Sequence, residues 1–335
     1  MKSFTIKVVW LALIFLLPSL TLGQAAHHDP SLCIITGDAN STAYRIGQDI
    51  RALANRYDIH LTVFPSRGDI ENVMAVYQRP GHHLGLVGSD VLAFVDKVEN
   101  APQLALISKK IKWIFPLYDK DVHLLASEKI KTFSDLKGCR VAIGNEQGGT
   151  YLTSRLLFEI ADVKPLELIA IGGGRALAAL RDGRIDAMIT VDGAPVDWLT
   201  GWVAAGDGLH LVPITEARIR EFYPSSRIPS ETYPWQAAAV HTVSVKTVLV
   251  AYDFRNQYCH WIGRLAWLIR ENLAWFKQHG HLKWKTVNIN QSMKGWKPYE
   301  CVLDYTPSAD DERDHQEPQR VSNPIVNAIQ AVFQP

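Results

Sequence analysis

The sequence predicts an α/β protein of two similar lobes, each a mostly parallel sheet flanked by helices, joined by two extended hinge crossings. Three observations predict it. Short apolar runs alternate with amphipathic stretches of about 10–15 residues, the spacing of strands in crossover units. The alternation is played twice, from residue 32 and again from residue 140. Two long runs rich in β-formers, 112–128 and 235–253, bracket the second half.

In the first half, "LCIITG" (32–37), "IHLTVF" (59–64), "LGLVGS" (84–89) and "LALIS" (104–108) read as strands. Helices are expected over 41–57, 69–78 and 91–97. In the second half, "RVAIG" (140–144), "LELIAI" (166–171) and "DAMITV" (186–191) are the strands, with helices over 150–161 and 175–181. Gly37 aligns with Gly144, Thr42 and Tyr44 roughly with Thr150 and Tyr151, and Gly68 with Gly172–Gly174. "GSD" (88–90) aligns with "VDG" (191–193), which implies duplication at the level of fold. The two β-rich runs are then hinge crossings, and the helical run 256–279 packs back on the first lobe. This divides the chain into a leader (1–25), lobe one (26–120), lobe two (121–235), and a return strand with C-terminal helices (236–335). Residues 308–319 form a polar, charged loop before a short helix over 324–333.

The leader is a secretory signal peptide. Lys2 and Lys7 flank the start of a ten-residue apolar run (8–17), too short to span a bilayer, and small residues follow it. Cleavage is expected between Gly23 and Ala26, which exports the mature chain to the periplasm. Without Lys2 and Lys7 the chain holds 33 basic and 34 acidic residues. That balance gives no support to a nucleic-acid or polybasic membrane role. In an oxidising compartment Cys259 and Cys301, on a helix and in a loop of one region, are the preferred disulfide pair. Cys33 and Cys139 read as buried thiols.

Ligands of open parallel sheets gather at the carboxyl ends of strands, where turns meet helix N-termini. Each lobe has three such turns: 36–44, 65–69 and 88–90 in one, 144–151, 171–175 and 191–195 in the other. They suit a carboxylate, sulfonate or phosphate held between the lobes. Nucleotide motifs fail: "GNEQGGT" lacks the P-loop lysine, and "TGDANSTAYRIG" lacks the G-x-G-x-x-G spacing. There is no G-x-S-x-G elbow and no recognisable acid–base pair. "GHHLG" (81–85) reads as a surface turn, not a metal pair. Trp261, Trp267 and Trp275, like Trp198 and Trp202, fall on helical stripes that read as core. Trp235 is the tryptophan expected in a pocket wall.

The ordered set "ITGDANSTAYRIGQDI" (35–50), "GDIENV" (68–73), "LGLVGSDVLAF" (84–94), "FSDLKGCRVAIGNEQGGT" (133–150) and "GRIDAMITVDGAPVDWL" (183–199) resembles the TAXI family. These are solute-binding receptors of tripartite ATP-independent periplasmic (TRAP) transporters. The resemblance, over about residues 32–300, implies a type II periplasmic-binding-protein fold, a flytrap closing on a small anionic solute such as an amino acid or organic acid. It implies delivery to a TRAP-type permease by a monomer, with no catalysis, cofactor or metal. By motif position the ligand set is Asn40, Ser41 and Thr42 from the first turn, then Ser89 and Asp90; Tyr44 and Arg67, read from the turns themselves, complete the first lobe's candidates. From the second lobe come Gln147, Gly148, Gly149 and Thr150, then Asp192, Gly193 and Pro195. The chain departs from the family at Asp38, Asn40 and Ser41, where glycine is usual, at Arg67, where a small residue is usual, and at Arg45, where proline is usual. The alternatives are an ABC permease or a sensor as partner, an apolar or aromatic ligand, and a flytrap-fold enzyme.

Overall fold

The computed structural model describes residues 31–97, 102–293, 296–309 and 311. The leader, the 324–333 helix and most of the 308–319 loop lie outside the described residues.

Each half of the molecule builds the same five-element unit. In the first, β1 (Leu32–Ile35), α1 (Thr42–Asn55), β2 (Leu61–Phe64), α2 (Asp69–Gln78) and β3 (Leu84–Gly88) give a parallel sheet in the order β2-β1-β3. α3 (Ser89–Lys97) and α4 (Pro102–Lys110) lead from it into a 17-residue strand, β4 (Ile111–Ser127). In the second unit, β5 (Arg140–Ala142), α5 (Gly149–Ala161), β6 (Glu167–Ile169), α6 (Gly173–Arg181) and β7 (Ala187–Asp192) repeat that order as β6-β5-β7. There follow α7 (Asp197–Trp202), β8 (Leu209–Leu211), α8 (Ala217–Phe222), β9 (Ser225–Ile228) and the return strand β10 (Val240–Tyr252). The chain continues through α9 (Gln257–Glu271), α10 (Leu273–His279) and α11 (Glu300–Leu303).

β4 and β10 are antiparallel partners along the middle of a ten-stranded sheet. β10 pairs with β3 over Thr247–Ala251, and β4 pairs with β7 from Asp121 onward. Lys120 and Asp121 therefore sit where β4 passes from one half to the other, and strand alternation sends their side chains to opposite faces.

Helices cover both faces of each half-sheet. β3 is buried throughout, as expected of a strand enclosed on two faces. α1 buries Ile46, Ile50 and Leu53, one helical stripe, against the core completed by α9. The opposite face is closed by α2, α3 and α4. In the second half, α5 and α8 close one face and α6 and α7 the other. The Cys259–Cys301 disulfide is formed across 42 residues, joining α9 to α11.

Four expectations are corrected. Residues 104–108 are helical, within α4: Ile107 is buried while Leu106 is 53% exposed, and Leu104 and Ile107, three apart, share the inner face. The 256–279 run is two helices, broken at Asn272, whose side-chain amide donates to the Leu268 carbonyl. His83 is buried rather than on a surface turn, packed on Tyr258 and Phe254 and accepting from the Cys33 amide at 3.1 Å. Cys33 and Cys139 are free thiols of intermediate exposure, not fully buried.

Candidate functional site

The turns after β1 and β2 and the middle of β3 are tied by one side chain. The Asn72 amide on α2 donates to the carbonyls of Thr36 and Leu86, and its oxygen accepts from the Ser66 hydroxyl at 2.6 Å. Three helix starts in this half, those of α1, α2 and α3, carry a polar or acidic side chain. Ser41 caps α1, accepting from the Tyr44 amide at 3.2 Å while its own hydroxyl donates to the Asp38 carbonyl. Asp69 lies in the first turn of α2 and accepts from the Gly88 amide at 3.0 Å. Asp90 lies in the first turn of α3 and accepts from the Val91 amide.

The second half differs. α5 and α6 begin at Gly148 and Gly172, neither offers a capping side chain, and neither helix has an acid in its first turn. The first amides of a helix have no intrahelical acceptor and carry partial positive charge. Gly144, at φ +85°, turns the chain sharply out of β5, and a Cβ there would run into Thr150. That turn brings the Thr150 hydroxyl to the Val191 amide, from which it accepts at 3.1 Å; its own proton remains for another acceptor.

Between the halves lies a cavity of about 600 Å³. Of the residues singled out from sequence, Asn40, Ser41, Arg67, Gly148, Gly149, Thr150 and Asp192 line it. The others hold the halves together or lie behind the wall. Thr42 donates its amide to Asp192 at 3.2 Å and its hydroxyl to the Gly193 carbonyl at 3.1 Å. The Gln147 side chain accepts from Arg67 at 3.1 Å and its carbonyl from the Glu71 amide at 3.3 Å. Asp90 accepts from Thr153 at 2.6 Å and from Tyr223 at 3.3 Å. Ser89 begins α3, Tyr44 packs on the α1 core, and Pro195 follows a cis peptide bond. The halves are thus in direct contact around the cavity, and Thr42 has both its donors engaged across the gap.

Sequence reasoning missed Asp69, Lys120, Asn145, Arg175, Trp198 and Trp202, all of which line the cavity. Lys120 is the most informative. It is buried, lies at the crossing point of β4, and pairs with Asp69. Burial by itself would lower its pKa, but Asp69, Asp90 and Asp192 outweigh that and raise it, which keeps Lys120 an ammonium ion. Burial raises the pKa of Asp192, against the hydrogen bonds from Gly193 and Thr42. Of the three donors on Lys120, Asp69 takes one. Arg67 and Arg175 add two exposed cations nearer the rim; Arg175 donates weakly to Asn145 at 3.4 Å. On the opposite face of β4, Asp121 accepts from Lys283 at 2.9 Å, from Ser226 at 2.6 Å and from the Ala194 amide.

The aromatic assignments reverse. Trp235 stacks on Tyr233, with centroids 5.1 Å apart, donates to the Leu199 carbonyl, and belongs to the core instead of the cavity wall. Trp198 and Trp202, read as core, are in the wall. Trp261, Trp267 and Trp275 pack on the first core as expected. Among the described residues no cluster of His, Cys, Asp or Glu has the geometry of a metal site, and no helix is long and apolar enough to cross a membrane.

A profile of the NMT1-like family matches residues 34–292, and the chain belongs to that family. Solved structures similar to it include Tv2483 bound to L-arginine, at 13% identity over 78% of this chain and 95% of that one, with a TM-score of 0.48. An ancestral arginine-binding protein bound to arginine matches at 13% identity over 77% and 97%, TM-score 0.47. A periplasmic binding protein of an arginine transport system from Legionella pneumophila matches at 13% over 76% and 98%, TM-score 0.45.

Proposed function

We propose that the protein is an exported, periplasmic solute-binding receptor that captures a small anionic organic solute, an amino acid or organic acid, and delivers it to a TRAP-type permease without chemistry of its own. One observation carries the reading: two helix starts without caps or acids, α5 and α6, face one cavity together with Lys120, Arg67 and Arg175. The anionic head sits on the Gly148–Thr150 start of α5, where the Gly149 and Thr150 amides and the Thr150 hydroxyl donate, the Gly148 amide being taken by the Asn145 carbonyl. Lys120 is committed as a cation, so it attracts the anion and does not serve as a base. The Ser41 hydroxyl caps α1, and Thr42 ties the halves together through Asp192 and Gly193.

Closure assembles the site because α5 and α6 come from one half, Arg67 and Asp69 from the other, and Lys120 from the strand between. A solute that contacts both halves at once favours the closed form by its differential affinity. Each charged hydrogen bond contributes about 1.5–3 kcal/mol. A thermal-shift screen of amino acids, dicarboxylates, hydroxy acids, sulfonates and phosphonates tests the class, since a ligand of the native state raises Tm. With the best carboxylate from that screen, Thr150→Val weakens binding severalfold while Thr150→Ser does not. Equal affinity for the wild type and Thr150→Val would sink the assignment.

A further inference from the structure

One wall of the cavity is aromatic, and the anion reading leaves it without a task. Trp198 and Trp202, four apart on α7, both line the cavity, with ring centroids 5.8 Å apart. Trp202 stays 50% exposed. Its ring is presented by a fixed backbone: the Trp202 carbonyl accepts from Arg181, and Asp207, which pairs with Arg181, also accepts from the Ala204 amide at 2.9 Å.

The ring also lies directly on the start of α6. A Cβ added at Gly174 would come within 3.2 Å of the Trp202 ring, although Gly174 has no left-handed φ to require glycine. The third glycine of "IGGGR" thus lets the indole sit close beside Arg175, and a Cβ there would push the ring back by a few tenths of an ångström. An indole left half in water inside a cavity is a large apolar surface waiting for cover, and flat groups cover it best. A dicarboxylate or a short aliphatic amino acid would engage the cations and leave both indoles wet. A cavity of about 600 Å³ has room for a ring as well as a head group.

We propose that the solute is a carboxylate bearing a planar ring, its anionic head among Lys120, Arg175 and the start of α5, its ring against Trp198 and Trp202. This rests on the anion-receptor reading above and deepens it.

Calorimetric titration of the purified protein with matched probes tests it: phenylacetate and 4-hydroxyphenylacetate against cyclohexylacetate, succinate and glutamate. The ring-bearing planar acids bind about tenfold or more tightly than the aliphatic ones, the increment of a good aromatic contact. Trp202→Ala abolishes that preference and leaves the weaker aliphatic binding in place; Trp202→Phe retains most of it. Melting curves establish that each variant is folded, and should Trp202→Ala fail to fold, the wild-type series and Trp202→Phe decide. Aliphatic acids binding as tightly as planar ones, or Trp202→Ala weakening both series equally, overturns the ring assignment and leaves the anion receptor standing. No binding by any carboxylate overturns both.

Discussion

The two lobes share a strand order and differ in what stands at their helix starts. In the first, α1 is capped by Ser41 and receives Asp192 from across the gap, α2 carries Asp69, and α3 carries Asp90. In the second, α5 and α6 begin on bare glycine. Duplicated topology thus yields one lobe whose α1, α2 and α3 carry their own polar or acidic side chains and one whose α5 and α6 carry none, the start of α5 being met instead by Asp69 from across the gap. The first lobe also supplies Asp69, the acid that pairs with Lys120. The lesson is that a repeated fold delivers the same backbone dipoles twice, and the side chains decide which copy is left for a ligand.

The lobes also differ in covalent support, and that gives the largest expected effect. The disulfide that closes 42 residues lies in the first lobe's C-terminal helices. By loop closure it contributes about 4 kcal/mol. Replacing both Cys259 and Cys301 by Ser should lower the denaturant midpoint accordingly while leaving the second lobe's cleft wall in place. An unchanged midpoint would mean that the staple is redundant and the asymmetry cosmetic.

Next comes the contact between the two kinds of helix start. A methyl at Gly149 would overlap the carboxylate of Asp69, which Gly88 and Lys120 hold in position. Gly149→Ala should keep both lobes folded but hold them apart, lowering affinity for the best screened carboxylate on the order of 100-fold, or about 2.7 kcal/mol. Small-angle scattering should report a larger radius of gyration for the variant at saturating solute. Normal affinity with a normal radius would show that the lobes need not meet this closely.

The smallest effect at neutral pH concerns His83, in the first lobe far from the cleft. Burial, with His82 adding to it, lowers its pKa to about 4. Its Nδ1 must be unprotonated to accept from Cys33. The unfolded chain takes up the proton near pH 6.5 and the folded one only near 4, so stability is lost as the pH falls through that window. His83→Asn keeps an acceptor and removes the titration. The wild type should therefore lose ground to the variant by up to ~1.4 kcal/mol per pH unit between about 6.5 and 4, and by nothing further above that range. A pH-independent difference between the two would refute a neutral buried ring.

Strand and helix periodicity announced the doubled β-α-β-α-β units, the two long crossings and the cysteine pair, because each is a local pattern or a neighbourhood of one region. The one strand misread, 104–108, is a short apolar run of the kind that fits a strand or a buried helix turn equally well. Seven of the residues named from the turns do line the cavity, since turn chemistry places glycines, serines and acids at strand ends wherever the strands finally stand.

What the sequence determined by itself is therefore the class of fold and the position of the glycine-rich start of α5. What only the tertiary structure decided is which donors are spent and which remain. Nothing local to Thr42 says that Asp192, 150 residues away, will take its amide. Nothing in "PLYDKDVH" says that Lys120 faces the cavity while Asp121 faces Lys283, because that depends on where the pairing of β4 with β10 ends and its pairing with β7 begins. Trp198 and Trp202 sit on a helical stripe indistinguishable from core until α6 is laid beside them on Gly174. Periodicity is a property of neighbours along the chain, whereas the charge and the walls of a cleft are set by residues far apart in sequence that the fold brings together.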